Sequence, residues 1–206
     1  MPTPNQSGLF AGLLALFSSA VFSETVIVNL EEPSTDGFYT GISNLRGWAV
    51  AESGIASIEI DVDGTYAFDV PMGGMRGDVA KVYPDFPDSD TSGFSMAYNY
   101  KGLSPGEYVF TARAISKDGG VATDSATVKV DRFLSSYIGD SSEVDTSTVS
   151  EVSFGDASFT LKGLTVEGHQ WDVVMDFDTA TQSFEIADIA EAVSYTHLTL
   201  PTTDRV

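Results

Sequence analysis

The chain has no cysteine among its 206 residues. This absence excludes disulfide bonds, thiolate metal sites and cysteine nucleophiles. Stability must therefore come from the hydrophobic core, and a chain of this length can build one large domain or two small ones.

Basic residues are scarce: Lys and Arg number 10 against 30 Asp and Glu, for a formal net charge of −20. Nucleic acids and anionic lipid surfaces are bound through Lys and Arg, so both are excluded as expected partners. The hydrophobic content of 42% is too high for a disordered acidic tail. The composition indicates a folded, acidic protein.

Histidine is scarcer still, with two in the chain. His169 lies in Glu167-Gly168-His169-Gln170, which is typical of a hairpin turn, where an isolated imidazole is a solvated surface group. Asp61 and Asp63 form a carboxylate pair on one predicted face, but they precede a hairpin, where exposed acids are ordinary. We therefore predict no catalytic residue and no enzymatic activity.

The N-terminus predicts export. Residues 9–22 form an apolar run too short to span a bilayer and suited to a signal-peptide core. We predict a signal peptide over residues 1–23 with cleavage after Ser23, or alternatively after Ala20, and no membrane span after cleavage. The segment before Leu9 has no Lys or Arg, and the alternative is a short buried helix or a truncated anchor.

Short alternating segments then predict an all-β fold. Ile58, Ile60 and Val62 alternate with acidic residues, and Asp63-Gly64 predicts a tight hairpin because glycine accepts a positive φ. The connection over residues 71–92 is expected to hold one helical turn at 76–82. In the second strand the best core candidates are Leu45, Trp48 and Val50. The strands are predicted at residues 26–30, 42–50, 55–62, 66–70, 94–100, 108–114 and 121–130.

About seven strands over one domain-sized segment predict an Ig-like antiparallel β-sandwich over residues 24–131. A Ser/Asp/Thr-rich stretch at 132–148 predicts a linker. Residues 149–192 predict a small three-stranded β appendage, with strands at 158–164, 172–177 and 183–189. Three strands are marginal alone, so they either pack on the first domain or belong to something longer.

An ordered series of short motifs resembles the bacterial Ig-like modules of large exported proteins. The motifs are Gly47-Trp48, Val62-Asp63-Gly64, Arg76-Gly77-Asp78-Val79, Tyr83-Pro84, Ser92-Gly93-Phe94 and the run from Leu103 to Tyr108. The resemblance covers residues 25–130, about half the chain, and implies a spacer, an adhesive unit or an accessory domain beside an enzyme. Residues 193–206 resemble the translated read-through of a sequencing adaptor; the alternative is a genuine terminal strand.

Three sets of residues are candidates for binding. Asp85, Asp88 and Asp90 share one loop that suits a calcium ion, although a solvated acidic surface explains them better. Arg76-Gly77-Asp78 is the tripeptide that integrins recognise, but Arg76 is expected to tie its loop down by pairing with a carboxylate. The third set is aromatic and could line a sugar-binding platform, although packing in the core is the favoured interpretation. Its members are Tyr83, Phe86, Phe94, Tyr98 and Tyr100.

The sequence thus predicts a non-catalytic module that is secreted, periplasmic or on the cell surface, and that serves adhesion, carbohydrate or protein contact, or spacing. No cofactor and no committed metal ligand is expected. The candidate partners are a glycan or a surface protein. Two alternatives stay open: an accessory domain of a truncated secreted hydrolase, and one unit of a repeated cell-surface protein.

Overall fold

The computed structural model describes residues 24–179 and 181–192. The predicted signal peptide at 1–23 and the predicted adaptor tail at 193–206 lie outside these residues. The one α-helix assigned among them is α1 (Gly77–Val82). The strands, in chain order, are β1 (Val26–Glu32), β2 (Phe38–Tyr39), β3 (Ile42–Ala51), β4 (Ile55–Val62), β5 (Thr65–Asp69), β6 (Met72–Gly74), β7 (Gly93–Asn99), β8 (Gly106–Ser116), β9 (Val121–Val130), β10 (Val144–Asp145), β11 (Glu151–Phe154), β12 (Ser158–Val166), β13 (His169–Asp178) and β14 (Ser183–Glu191).

The first nine strands form two facing sheets. One sheet has the order β1-β3-β7-β6, and the other has the order β2-β9-β8-β4-β5. Apart from the parallel β2–β9 pair, the sandwich pairings are antiparallel. The second sheet is built around β4, β8 and β9. A four-stranded sheet facing a sheet of this kind is the strand arrangement of the Ig-like sandwich. The predicted all-β Ig-like fold is confirmed.

Two local features support this fold, one that the sequence predicts and one that is typical of Ig-like domains. Asp63 and Gly64 both adopt a positive φ, 50° and 74°, which closes the β4–β5 hairpin. At the start of β8 the Tyr108 hydroxyl donates to the Ser104 carbonyl at 3.0 Å. This bond is the tyrosine corner that fixes the connection between the sheets in Ig-like domains.

Removing the Tyr108 hydroxyl is expected to loosen this corner. The Tyr108→Phe variant should lose about 1 kcal/mol of unfolding free energy, because one hydrogen bond disappears while the ring stays in place. Urea denaturation measures the loss. Tyr137→Phe is the matched control, since Tyr137 is 80% exposed; an equal effect of both substitutions would contradict the role of the corner.

The sandwich core fills the space between its two sheets. Tyr100, Phe110, Leu45 and Ile60 are each fully buried there, and the rings of Tyr100 and Phe110 lie 5.5 Å apart. Predicted core residue Trp48 is not among them, which corrects that prediction. Because side chains alternate along β3, Leu45 and Trp48 point to opposite faces, and Trp48 lies on the outer face under the Tyr83 ring at 5.6 Å.

A third sheet, the C-terminal sheet, has the order β10-β12-β13-β14 with β11 also paired to β12. The three strands predicted for this region are β12, β13 and β14, and two short strands join them. A second core covers part of its apolar face, with Val166, Trp171 and Val173 buried. The segment predicted as a linker contributes to it, because Phe133 packs in this core and Val144 pairs with Val166.

Candidate functional site

The side chains of Asp85, Asp88 and Asp90 share a loop but are not grouped as metal ligands. All three side chains are exposed, and the Asp88 carboxylate lies 3.8 Å from the Lys117 ammonium. In the described part of the chain, no three acidic or histidine side chains are grouped so that they could hold a metal ion. The calcium hypothesis therefore has no geometric support here.

Arg76 is engaged inside the protein, as the sequence predicts. Its Nε and Nη2 atoms donate to the two carboxylate oxygens of Asp78 at 2.9 and 2.7 Å, and Nη2 also donates to Glu31 at 2.8 Å. Glu31 belongs to β1, so the guanidinium ties the long connection to the sandwich. The bidentate pairing leaves neither Arg76 nor Asp78 presented as a free adhesion tripeptide.

This clamp should depend on pH. The Arg76 hydrogen bonds hold the pKa of the exposed Asp78 carboxyl well below its usual value. A depressed native pKa contributes stability that is present above the unfolded pKa of about 4 and is lost as pH falls below it. We expect Asp78→Asn to be less stable than the wild type at pH 7 and the difference to shrink at pH 3, as measured by chemical denaturation. A difference that stays constant between the two pH values would contradict the clamp.

The five aromatic residues considered as a sugar platform do not share a surface. Phe94 and Tyr100 are buried in the sandwich core, and Tyr98 packs against them at half exposure. Tyr83 and Phe86 lie elsewhere, with ring centroids 5.7 Å apart. The favoured interpretation, core packing, is confirmed for Phe94, Tyr98 and Tyr100.

The groups that could support hydrolysis are held in structural contacts. His169 Nδ1 lies 2.9 Å from a carboxylate oxygen of Glu191, and both residues are exposed. Asp63 accepts a hydrogen bond from the Val109 amide at 2.8 Å. Asp61 is only 8% exposed and pairs with Arg113. Asp61 is thus not the exposed acid that the sequence predicts, because the Arg113 guanidinium contacts both oxygens of its carboxylate.

An open groove lies where the sandwich meets the C-terminal sheet. It consists of adjoining depressions of about 430 and 300 Å³ that share Phe38, Tyr39, Ser43 and Glu185. We call it the junction groove. Its walls also include Glu31, Glu32, Thr40, Arg46 and Phe184.

Strand β2 positions the aromatic wall of the junction groove. Neighbouring side chains on a strand point to opposite faces. The Tyr39 ring therefore stacks on Tyr100 of the sandwich core at 4.6 Å, while Phe38 packs against the second core. The Tyr39 hydroxyl accepts a hydrogen bond from the Ser34 amide at 2.8 Å. Lys129 of β9 contacts Asp188 of β14 at 3.0 Å, an exposed ion pair between the two units.

Charged groups of both signs line the same groove. Arg46 contacts Glu32 at 2.9 Å and remains 44% exposed at its side chain. Glu185 faces the groove from β14, and Glu31 lies at its end, where a further depression of about 350 Å³ reaches Arg76. The groove therefore offers hydrogen-bond donors and acceptors beside aromatic carbon.

One buried polar atom lies in the wall of the groove. The Thr40 hydroxyl has no hydrogen-bond partner within the described residues. Leaving such a group unsatisfied costs about 1–3 kcal/mol. Thr40→Val, which keeps the shape and removes the hydroxyl, is expected to raise the unfolding free energy by about 1 kcal/mol. Thr40→Ser keeps the hydroxyl and should not raise the unfolding free energy. Urea unfolding midpoints of the two variants measure the difference. A valine variant less stable than the wild type would contradict the prediction.

Sequence patterns did not identify this groove. Phe38-Tyr39 follows the turn at Asp36-Gly37, but two aromatic residues after a turn are common. Arg46 and Glu185 are separated by most of the chain, and no local spacing brings them together. Their proximity depends on how the C-terminal sheet packs on β2 and β3.

No protein-family model and no curated protein matches the chain. Several solved structures resemble it. An endo-β-1,4-mannanase from Thermotoga petrophila has 11% identity and a TM-score of 0.37, covering 57% of this chain and 22% of that one. Fibronectin(III)-like modules of Clostridium thermocellum CbhA have 16% identity and a TM-score of 0.29, covering 50% and 93%. A Bacteroides ovatus mixed-linkage glucan utilization protein, SGBP-B, in complex with a heptasaccharide, has 8% identity and a TM-score of 0.28, covering 82% and 47%. The chain thus spans about a fifth of the mannanase, and no ligand or activity is carried over from these proteins.

No helix of the described residues has the length and apolar character needed to cross a membrane.

Proposed function

We propose that this protein is an exported, non-catalytic binding module that contacts a carbohydrate through the junction groove. The observation that carries the proposal is the meeting of the Phe38 and Tyr39 rings with Arg46, Glu32 and Ser43 in one open groove. As part of this proposal, residues 25–130 are a bacterial Ig-like module of the kind found in exported proteins.

The chemistry of the groove suits a sugar chain. A pyranose ring has an apolar C–H face that packs on aromatic carbon and a rim of hydroxyls that both donate and accept hydrogen bonds. Arg46 and Glu32 supply a charged donor and a charged acceptor 2.9 Å apart, and hydrogen bonds to charged groups are the stronger ones. An open groove, unlike a closed pocket, accepts an internal stretch of a polymer.

Binding without catalysis fits the remaining groups. Hydrolysis of a glycoside requires two carboxylates facing each other across the scissile bond, one of which is a proton donor. In the groove, Glu32 is paired with Arg46, and Glu31 is paired with Arg76. Both carboxylates are therefore engaged by guanidinium groups of the protein itself.

A glycan array followed by titration calorimetry tests the proposal. We expect at least one plant or microbial polysaccharide to bind, and Arg46→Gln to weaken that binding about tenfold, which equals 1.4 kcal/mol. Lys162→Gln is the matched control, because Lys162 makes an exposed ion pair with Glu151 outside the groove. Absence of any glycan signal above a non-binding protein, or equal binding by the two variants, would refute the proposal.

A further inference from the structure

Four phenylalanines lie together on one face of the C-terminal sheet. Phe154 is paired directly with Phe159, and Phe177 is paired directly with Phe184. Residues paired across an antiparallel ladder point to the same face. The ring centroids of Phe159 and Phe184 lie 5.1 Å apart, and those of Phe177 and Phe184 lie 5.4 Å apart. We call these four residues the phenylalanine face.

The phenylalanine face continues the apolar side of the sheet beyond its covered part. Phe159 stands opposite Met175, and Met175 stands opposite Ile186, and both of these pack against the second core. The second core does not extend over the phenylalanine face, where Phe154 is 82% exposed, Phe184 50% and Phe177 38%. Contiguous exposed aromatic surface of this kind is unusual in a monomer and marks an interaction site.

The surroundings of the phenylalanine face are acidic. Asp156 and Asp176 line a depression of about 260 Å³ together with Phe177, and Glu185 follows Phe184 in the chain. Residues 149–192 contain nine Asp and Glu against one lysine. That lysine, Lys162, contacts Glu151 at 3.2 Å. A partner that covers the rings must therefore lie among carboxylates.

We propose that the phenylalanine face docks a polypeptide segment whose apolar side chains are flanked by Lys or Arg. The rings supply the apolar contact, and the carboxylates attract and orient the cationic flanks. An anionic lipid surface is repelled by the same charge. A sugar is a poorer fit because phenyl rings form no hydrogen bonds and the neighbouring carboxylates only accept them. This docking surface adjoins the junction groove at Phe184, and its other three rings lie outside the groove.

The test uses the whole chain and a short fluorescein-labelled peptide that alternates Phe with Lys. A peptide that alternates Ser with Lys carries the same charge and is the reference. By fluorescence anisotropy we expect the Phe peptide to bind at least about tenfold more tightly than the Ser peptide. The double variant Phe154→Ser/Phe177→Ser should reduce binding of the Phe peptide to the level of the Ser peptide.

Controls separate docking from unfolding and from charge alone. Tyr137→Ser removes an equally exposed ring outside the face and should leave peptide binding unchanged. Asp156→Asn/Asp176→Asn should weaken both peptides without removing the preference for Phe. Equal binding of the two peptides, or wild-type binding by the double phenylalanine variant, would overturn the proposal.

Other occupants give distinct results. Sedimentation that shows a dimer lost in the double phenylalanine variant would assign the face to a second copy of the chain and overturn the proposal. So would binding to phosphatidylglycerol vesicles that depends on the same two rings. Arg46→Gln is expected to leave peptide binding unchanged, so failure of the groove proposal and failure of this one are distinguishable.

Discussion

Replacing Phe133 with alanine is expected to unfold the C-terminal sheet while the Ig-like sandwich stays folded. Phe133 is 9% exposed, and its ring meets Trp171 edge to face at 5.4 Å. The Lys101 ammonium lies 5.5 Å from the ring centroid. Truncating a buried phenylalanine typically costs about 3–5 kcal/mol, which is a large part of the stability of a small unit.

The two tryptophans of the chain allow this to be measured. Trp48 lies in the sandwich and Trp171 in the second core, so the fluorescence of a Trp48→Phe background reports on the C-terminal sheet alone. Leu134→Ala is the matched control, since Leu134 is the next residue after Phe133 and its side chain is 50% exposed. If Phe133→Ala costs no more than Leu134→Ala, residues 132–148 behave as the linker that their composition predicts.

Gly47→Ala is expected to cost more than the 1–3 kcal/mol typical of an overpacked core position. A methyl group at Gly47 would lie 2.5 Å from the Phe94 ring and would overlap the Asn29 carbonyl. The Phe94 ring lies directly across the ladder from Gly47, so the glycine provides the space that this ring occupies. Neither the carbonyl of β1 nor the buried ring can move without disturbing the four-stranded sheet.

Gly102→Ala is the control for the glycine substitution. A methyl group there meets nothing within 4 Å, so the change is expected to stay within about 0.5 kcal/mol, as surface substitutions do. Thermal unfolding of the two variants gives the comparison. Similar melting temperatures would show that the β3–β7 ladder can widen at Gly47 and that the space is not required.

The sequence predicted the strands well because their two-residue period is a local property. The Asp63-Gly64 hairpin followed from turn chemistry alone. The position of Trp48 could not be predicted in the same way. Alternation separates the two faces of β3. The connection that contains Tyr83 covers the outer face, however, so apolar residues occur on both faces. The alternation then does not indicate which face belongs to the core.

The ion pairs were predictable only in part. Arg76 lies among acids and was expected to pair, and Asp78 two residues away is a local partner. Glu31 is a distant one, because β1 and β6 form opposite edges of their sheet. The Arg76 side chain reaches Glu31 by passing beside Gly93. The junction groove depends wholly on such distant contacts, because its walls come from β1, β2, β3 and β14. Composition and spacing contain no information on how two units are placed against each other.

Strand β2 has a mechanical consequence. Its two rings are adjacent in the chain, yet Tyr39 is anchored in one core and Phe38 in the other. Movement of the C-terminal sheet relative to the sandwich would act on both cores through this dipeptide, in addition to the covalent connection after β9. Sliding β2 by one residue would withdraw both rings together, since each would then face the wrong side. The dipeptide thus couples the yielding of one unit to that of the other, and with it the width of the groove between them.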